Sequence, residues 1–144
     1  MQLLPRKGIL AIAAVIDIAL NAHDRPVAAK ALANRQRLPP RHLEPVLQSL
    51  VRYGILKGIR GPRGGYELAR EQRRITAEDI LRAVGTDEQF NGVAAADSLL
   101  LGKVVMPALA QAENTFSGAL ARVTVERLTH SAEGLRLIGG VRRK

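Results

Sequence analysis

Ile55-Leu56-Lys57-Gly58-Ile59-Arg60-Gly61-Pro62-Arg63-Gly64-Gly65-Tyr66-Glu67-Leu68 is the stretch on which the reading of this chain turns. Two short apolar runs flank Gly-Pro-Arg-Gly-Gly, the pattern of a β-hairpin closed by a stiff turn. Gly61, Gly64 and Gly65 are open to positive φ, and Pro62 holds its own φ near about −65°. Arg60 and Arg63 are thereby held out on a short cationic arm.

Working backwards, Pro39-Pro40 opens a helix, because proline suits a first turn whose N–H has no partner. Leu43, Val46, Leu47, Leu50 and Val51 follow on one apolar stripe. Arg41, Pro45, Gln48 and Arg52 fall opposite, with His42 and Ser49 flanking, and Gly54 closes the helix. Pro45 loses one backbone bond near the helix start. Before it, Val27 to about Asn34 reads as a short Ala-rich helix, and residues 35–39 as the turn. Lys7 to about Asn21 is a first helix, with Ile9, Ile12, Ala13, Ile16, Ala19 and Leu20 at helical spacing.

Working forwards, Thr76-Ala77-Glu78-Asp79 carries an N-terminal capping signature, and the helix it opens stops at Gly85. Thr86–Asp97 is polar and Gly/Ala-rich, the expected flexible loop. Ser98 to about Val123 is a long helix with Leu101, Val105, Leu109, Ala112, Phe116, Leu120 and Val123 recurring every three or four residues. Pro107 kinks it or starts a second segment. Thr124 caps a last short helix to about Ser131, and a basic tail follows. The expected organisation is a mainly α chain with one small β-hairpin. Residues 1–85 form a winged helix-turn-helix unit, 86–97 a loop, 98–131 the long helix and the short one after it, which the family resemblance described below makes the dimerisation helices, and 132–144 the tail.

Charge is placed unevenly. Residues 1–74 hold 14 Lys and Arg against 5 Asp and Glu, while residues 75–144 hold 8 against 8. The whole net charge of +9 therefore lies in the first half, which favours a polyanionic partner. There is no cysteine, so disulfides, thiolate catalysis and all-thiolate metal sites are excluded. No apolar run approaches the ~18 residues of a membrane span. Residues 8–20 are interrupted by Asp17 and read as a core helix rather than a leader. A cytoplasmic location with no membrane partner is the expectation. His23, His42 and His130 are scattered, and no pair shares a helix face at metal-binding spacing. No nucleophile elbow or phosphate loop is present, so an enzyme is not expected.

A B-DNA major groove, about 12 Å wide, accepts one helix that buries one side on its own domain and offers a polar side. Residues 40–53 meet both demands. Arg41 suits a guanine edge or a phosphate, His42 and Gln48 suit base edges, and Arg52 suits phosphate further along. Arg37, in the preceding turn, joins this candidate set. The hairpin, through Arg60, Gly61 and Arg63, suits the adjacent minor groove or its phosphates.

Several of these segments together resemble a known family. Lys7-Gly8, Leu43-Glu44, Gly54-Ile55-Leu56, Arg60-Gly61-Pro62-Arg63-Gly64-Gly65-Tyr66, Ile75-Thr76 and Thr124-Val125-Glu126-Arg127-Leu128 are similar to the Rrf-two (Rrf2) family of transcriptional regulators. The likeness spans roughly residues 1–131 and is strongest over 5–85, with the Arg-Gly-Pro-x-Gly-Gly-Tyr wing its most specific part. It implies a homodimeric winged-helix transcription factor, usually a repressor, whose long helix crosses its twin. By position, Arg41, His42 and Gln48 fall in the DNA-reading helix and Arg60, Gly61 and Arg63 in the wing. The dimer interface falls on the apolar stripe of the long helix. Cluster-binding members carry three cysteines in the stretch matching Thr86–Asp97 and the start of the next helix. Here that stretch has none, and Asp87, Glu88 and Asp97 are oxygen donors unsuited to an iron–sulfur cluster. No cofactor is expected. The expected partners are double-stranded DNA, a second copy of the chain and a small-molecule effector whose identity the sequence does not show. The rival reading is a winged-helix protein–protein adaptor that does not bind DNA.

Overall fold

The structure, a computed structural model, describes residues 6–85 and 99–135. In chain order it runs α1 (Arg6–Asn21), α2 (Ala29–Gln36), α3 (Pro40–Arg52), β1 (Leu56–Ile59), β2 (Gly65–Leu68) and a 3₁₀ turn (Gln72–Arg74). Then come α4 (Ala77–Val84), a π-helical turn (Leu101–Val105), α5 (Met106–Leu120) and α6 (Val125–Gly134). This is the mainly helical architecture with one two-stranded antiparallel sheet that the pattern implied.

Helix α1 is the post around which the first half is built, packing against α3, α4, α6 and β2. Its buried face follows the expected spacing only in part, at Ala19 and Leu20. Ala11, Ala14, Val15 and Ile18 are fully buried, whereas Ile9 is 44% exposed and Ile12 and Ile16 are only half-buried. A helix apolar on nearly every side has no polar face to set its phase. Alanines on the inward side let neighbouring helices approach closely, and dense packing then selects that side.

Val27 is a second correction. It lies outside α2 in an extended segment, giving its N–H to the Tyr66 carbonyl at 2.9 Å and accepting from the Tyr66 N–H at 2.8 Å. Pro26 before it cannot donate, so the pairing begins one residue later. The helix accordingly starts at Ala29 and runs to Gln36, two residues past the expected end.

Helix α3 runs unbroken through Pro45, and Leu43, Val46, Leu47 and Leu50 are buried as the stripe required. Val51 is 36% exposed instead, because eight residues on from Leu43 the helix has turned about 80° away from the core. Strands β1 and β2 pair in the register Leu56 with Leu68, Lys57 with Glu67, Gly58 with Tyr66 and Ile59 with Gly65.

Thr76 and Asp79 form a reciprocal capping box at α4, with both bonds at 3.1 Å. Thr124 caps α6 by accepting from the Arg127 N–H at 3.1 Å. The two caps also meet. Ala77 donates to the Val123 carbonyl and Val125 donates to that of Ile75, each at 2.8 Å. Val125 is fully buried and joins the same apolar cluster as Ile18, Leu47, Leu50 and Ile80. Helix α6 extends to Gly134, beyond the expected Ser131.

Pro107 has no N–H for the carbonyl one turn earlier, and the chain answers with the π-helical turn that ends at Val105. A regular helix resumes at Met106, the second segment that Pro107 predicted. None of the α5 side chains is buried. The loop expected at Thr86–Asp97, the helix start at Ser98 and the tail beyond Leu135 lie outside the described residues.

Candidate nucleic-acid interface

The hairpin tip is shaped by close backbone approach. Gly64 donates to the Gly61 carbonyl at 2.9 Å, closing a four-residue turn with Pro62 at its second position. A β-carbon on Gly64 would stand 2.1 Å from the Ile59 carbonyl oxygen, and one on Gly65 would stand 2.4 Å from that of Val27. Only glycine fits at either place. Gly64 therefore serves the turn through space rather than through positive φ, which Gly61 adopts at 115°.

The hairpin base is tied to the end of α3. Ile55 donates to the Leu50 carbonyl at 2.9 Å, Ala69 to that of Ile55 at 2.9 Å, and the Arg70 Nε to that of Gly54 at 3.2 Å. Tyr66 fastens the returning strand to Val27 just ahead of α2. Helix α3 and the hairpin are thus joined by hydrogen bonds at the hairpin base.

Arg37, Arg41, His42, Gln48, Arg52, Arg60, Gly61 and Arg63 are all exposed. Which cations already have partners is more telling. In residues 6–85, Arg35, Lys57, Arg70, Arg73, Arg74 and Arg82 each lie within ion-pair distance of a carboxylate. Arg37, Arg41, Arg52, Arg60 and Arg63 form no ion pair among the described residues, and the other unpaired arginines there are Arg6 and Arg25. Unpaired guanidinium groups collect on the α2–α3 turn, on α3 and on the wing tip. Exposed and without an ion pair among the described residues, they are available to an external anion.

One functional cluster escaped the sequence reading. Asp17 appeared there only as an interruption of an apolar helix, but it is 4% exposed and organises the helix pair above it. Its carboxylate accepts from Arg35 Nη2 at 2.8 Å and Nε at 3.0 Å, and from Gln36 Nε2 at 2.7 Å. Asn21 Nδ2 donates to the Asp17 carbonyl at 2.8 Å. The C-terminal end of α2, and with it the turn into α3, is thereby fixed to α1. An acidic residue within an apolar helix, with Arg-Gln at the end of the next helix, was the available signal.

The expected dimer residues lie on or beside the second long helix. Leu109 is 59% exposed, Ala112 is exposed, and Val105, Phe116, Leu120 and Val123 are half-buried. Leu101 belongs to the π-helical turn. Leu99, Leu100, Val104 and Met106 add further exposed apolar surface to this stretch. Among the described residues, no helix is long and apolar enough to cross a membrane.

Residues 4–131 match the Rrf2 family, described as iron-dependent transcriptional regulators. An HTH-type transcriptional regulator of Synechocystis is 34% identical over 130 residues, covering 90% of this chain and 88% of that protein. IscR of Xenorhabdus nematophila is 35% identical over 81 residues, 56% of this chain but only 49% of that protein. The solved structure of T. potens IscR superposes with a TM-score of 0.72 at 27% identity, over 92% of this chain and 90% of the other. CymR of B. subtilis, the global cysteine regulator, superposes at 0.69 with 26% identity, over 91% and 98%. The family description names iron, but the donor set here does not fit an iron–sulfur cluster. The chain has no cysteine, and among the described residues no group of three or more His, Asp or Glu side chains is placed to hold a metal ion. With the family match running from the first helix into the last capped helix, and with a full-length relative at 34% identity, the chain belongs to the Rrf2 family of transcriptional regulators, as a cysteine-free member.

Proposed function

We propose that this chain is a sequence-specific DNA-binding regulator that acts as a homodimer on a pseudo-palindromic operator, without an iron–sulfur cluster. The observation that carries this reading is the gathering of arginines with no ion pair among the described residues onto α3, its leading turn and the wing tip, whereas Arg35, Arg70, Arg73 and Arg74 elsewhere in the first half are paired. Arg41, His42 and Gln48 read base edges in the major groove. Arg37 and Arg52 hold phosphates on either side, and Arg60 and Arg63 reach the neighbouring minor groove. The exposed apolar surface around α5 supports the dimer, whose interface would run along Leu101, Val105, Leu109, Ala112, Phe116, Leu120 and Val123. Two reading helices would then stand about one DNA turn, ~34 Å, apart.

Occupation of such an operator represses by excluding other proteins from the same DNA. An effector acts by favouring one of two dimer arrangements, and the segment between reader and interface, Thr86–Asp97, is the place for it. The test is selection of bound fragments from the native genome. The expected result is enrichment of one two-fold symmetric sequence. Absence of any enriched sequence, together with a stoichiometric protein partner in pull-down, would establish the adaptor instead.

A further inference from the structure

Arg37 is the one non-glycine residue among the described ones with positive φ, at φ 56° and ψ 48°. It occupies the left-handed position after α2, where the Arg37 N–H donates to the Asn34 carbonyl at 3.3 Å and the Leu38 N–H to that of Ala33 at 3.0 Å. This pair of bonds is the Schellman arrangement, whose left-handed position ordinarily takes glycine, sometimes asparagine. An arginine there is strained, because its β-carbon crowds the following carbonyl.

Its immediate neighbours are engaged with the body of the domain. Arg35 and Gln36 bind the buried Asp17 carboxylate, and Leu38 packs against the core. Within residues 35–38 the Arg37 side chain alone is exposed, and it makes no hydrogen bond or ion pair among the described residues. The fold therefore takes nothing from this side chain and would be better served by glycine. Strain of this kind persists where the surroundings over-determine it, and it collects at functional positions. The Asp17 clamp is that over-determining structure. Arg37 also stands three residues before Pro40, the first residue of α3, whose N-terminus no side chain caps. A phosphate at this point meets an exposed guanidinium just ahead of α3.

We propose that Arg37 is a backbone-phosphate anchor held in a strained conformation, and that Asp17, through Arg35 and Gln36, is the positioning residue that holds it there and sets how α3 is presented to the groove. This rests on the DNA-binding reading above and names one contact within it, together with a supporting residue outside it.

The experiment compares wild type with Arg37→Gly, Arg37→Asn, Arg37→Lys and Asp17→Asn, in thermal unfolding and in salt titrations of binding to short duplex DNA of selected and of random sequence. Arg37→Gly and Arg37→Asn are expected to raise Tm by about 3 °C. Both should weaken binding to the two duplexes alike, by roughly 5- to 10-fold, and flatten the log–log salt slope by about 1.8, the share of one phosphate from each protomer of the dimer. Arg37→Lys should keep the slope. Asp17→Asn should keep the slope but narrow the preference for the selected over the random duplex by about 10-fold. Unchanged affinity and slope in Arg37→Gly and Arg37→Asn overturn the anchor. Loss of Tm in both shows that the fold needs the side chain and also overturns it. Full sequence preference in Asp17→Asn overturns the positioning role. Wild type binding neither duplex overturns the DNA-binding reading itself, a result separate from all of these.

Discussion

Asp17 shows how much a single charged residue can organise. Burying a carboxylate is costly unless it is paired and hydrogen-bonded, and here Arg35 and Gln36 supply both requirements from the end of the next helix. Removing only the cation strands the charge. Arg35→Met is expected to destabilise by about 3 kcal/mol in urea unfolding. Replacing the pair together, Asp17→Leu with Arg35→Met, should recover most of that loss, since two apolar side chains leave no buried charge. A pair that sums additively would contradict the clamp. The sequence displayed both residues, but nothing in periodicity links positions 18 residues apart. The link exists only after α1 and α2 have packed. Gly64 is the opposite case, a residue whose role the turn pattern announced, although the reason is contact with the Ile59 carbonyl rather than backbone handedness.

At the scale of elements, local chemistry was legible wherever it was self-contained. The stripe of α3, the Gly-Pro-Arg-Gly-Gly hairpin and the threonine caps of α4 and α6 all depend on residues within one or two turns of each other. The phase of α1 was not legible, because a helix apolar all round takes its orientation from its neighbours. Val27 was misplaced for a related reason. Its strand partner, Tyr66, lies far along the chain, and Ala-rich sequence around it suits a helix equally well. The paired caps at Thr76 and Thr124 join the reading half to the helix that follows α5, so each does more than end a helix. Thr124→Ala is expected to cost about 1 kcal/mol in chemical denaturation, the usual worth of an N-cap. Gly64→Ala should destabilise by about 1–3 kcal/mol, since the β-carbon collides with backbone that has no room to yield. A neutral outcome for Gly64→Ala would show that the wing turn is looser than its geometry.

For the whole molecule, two surfaces stand out, one cationic and one apolar. The cationic one was foreshadowed by the charge imbalance between the halves, and the structure adds which guanidinium groups are already paired. The apolar one surrounds α5, where Leu99 is 79% exposed and Leu109 59%. The proposed dimer would cover these side chains. In sedimentation equilibrium the chain is expected at twice its 15.6 kDa mass, and Leu109→Glu at the single-chain mass with its helix content unchanged. A wild-type monomer would remove the dimer from the reading. The most direct test of the central idea, that α3 and the wing grip one duplex from each protomer, is a hydroxyl-radical footprint on a fragment selected from the genome. The expected pattern is two protected patches about one helical turn apart, ~34 Å, each flanked by minor-groove protection that Arg63→Ala removes. A uniform cleavage ladder, or a single patch unaffected by Arg63→Ala, would contradict it.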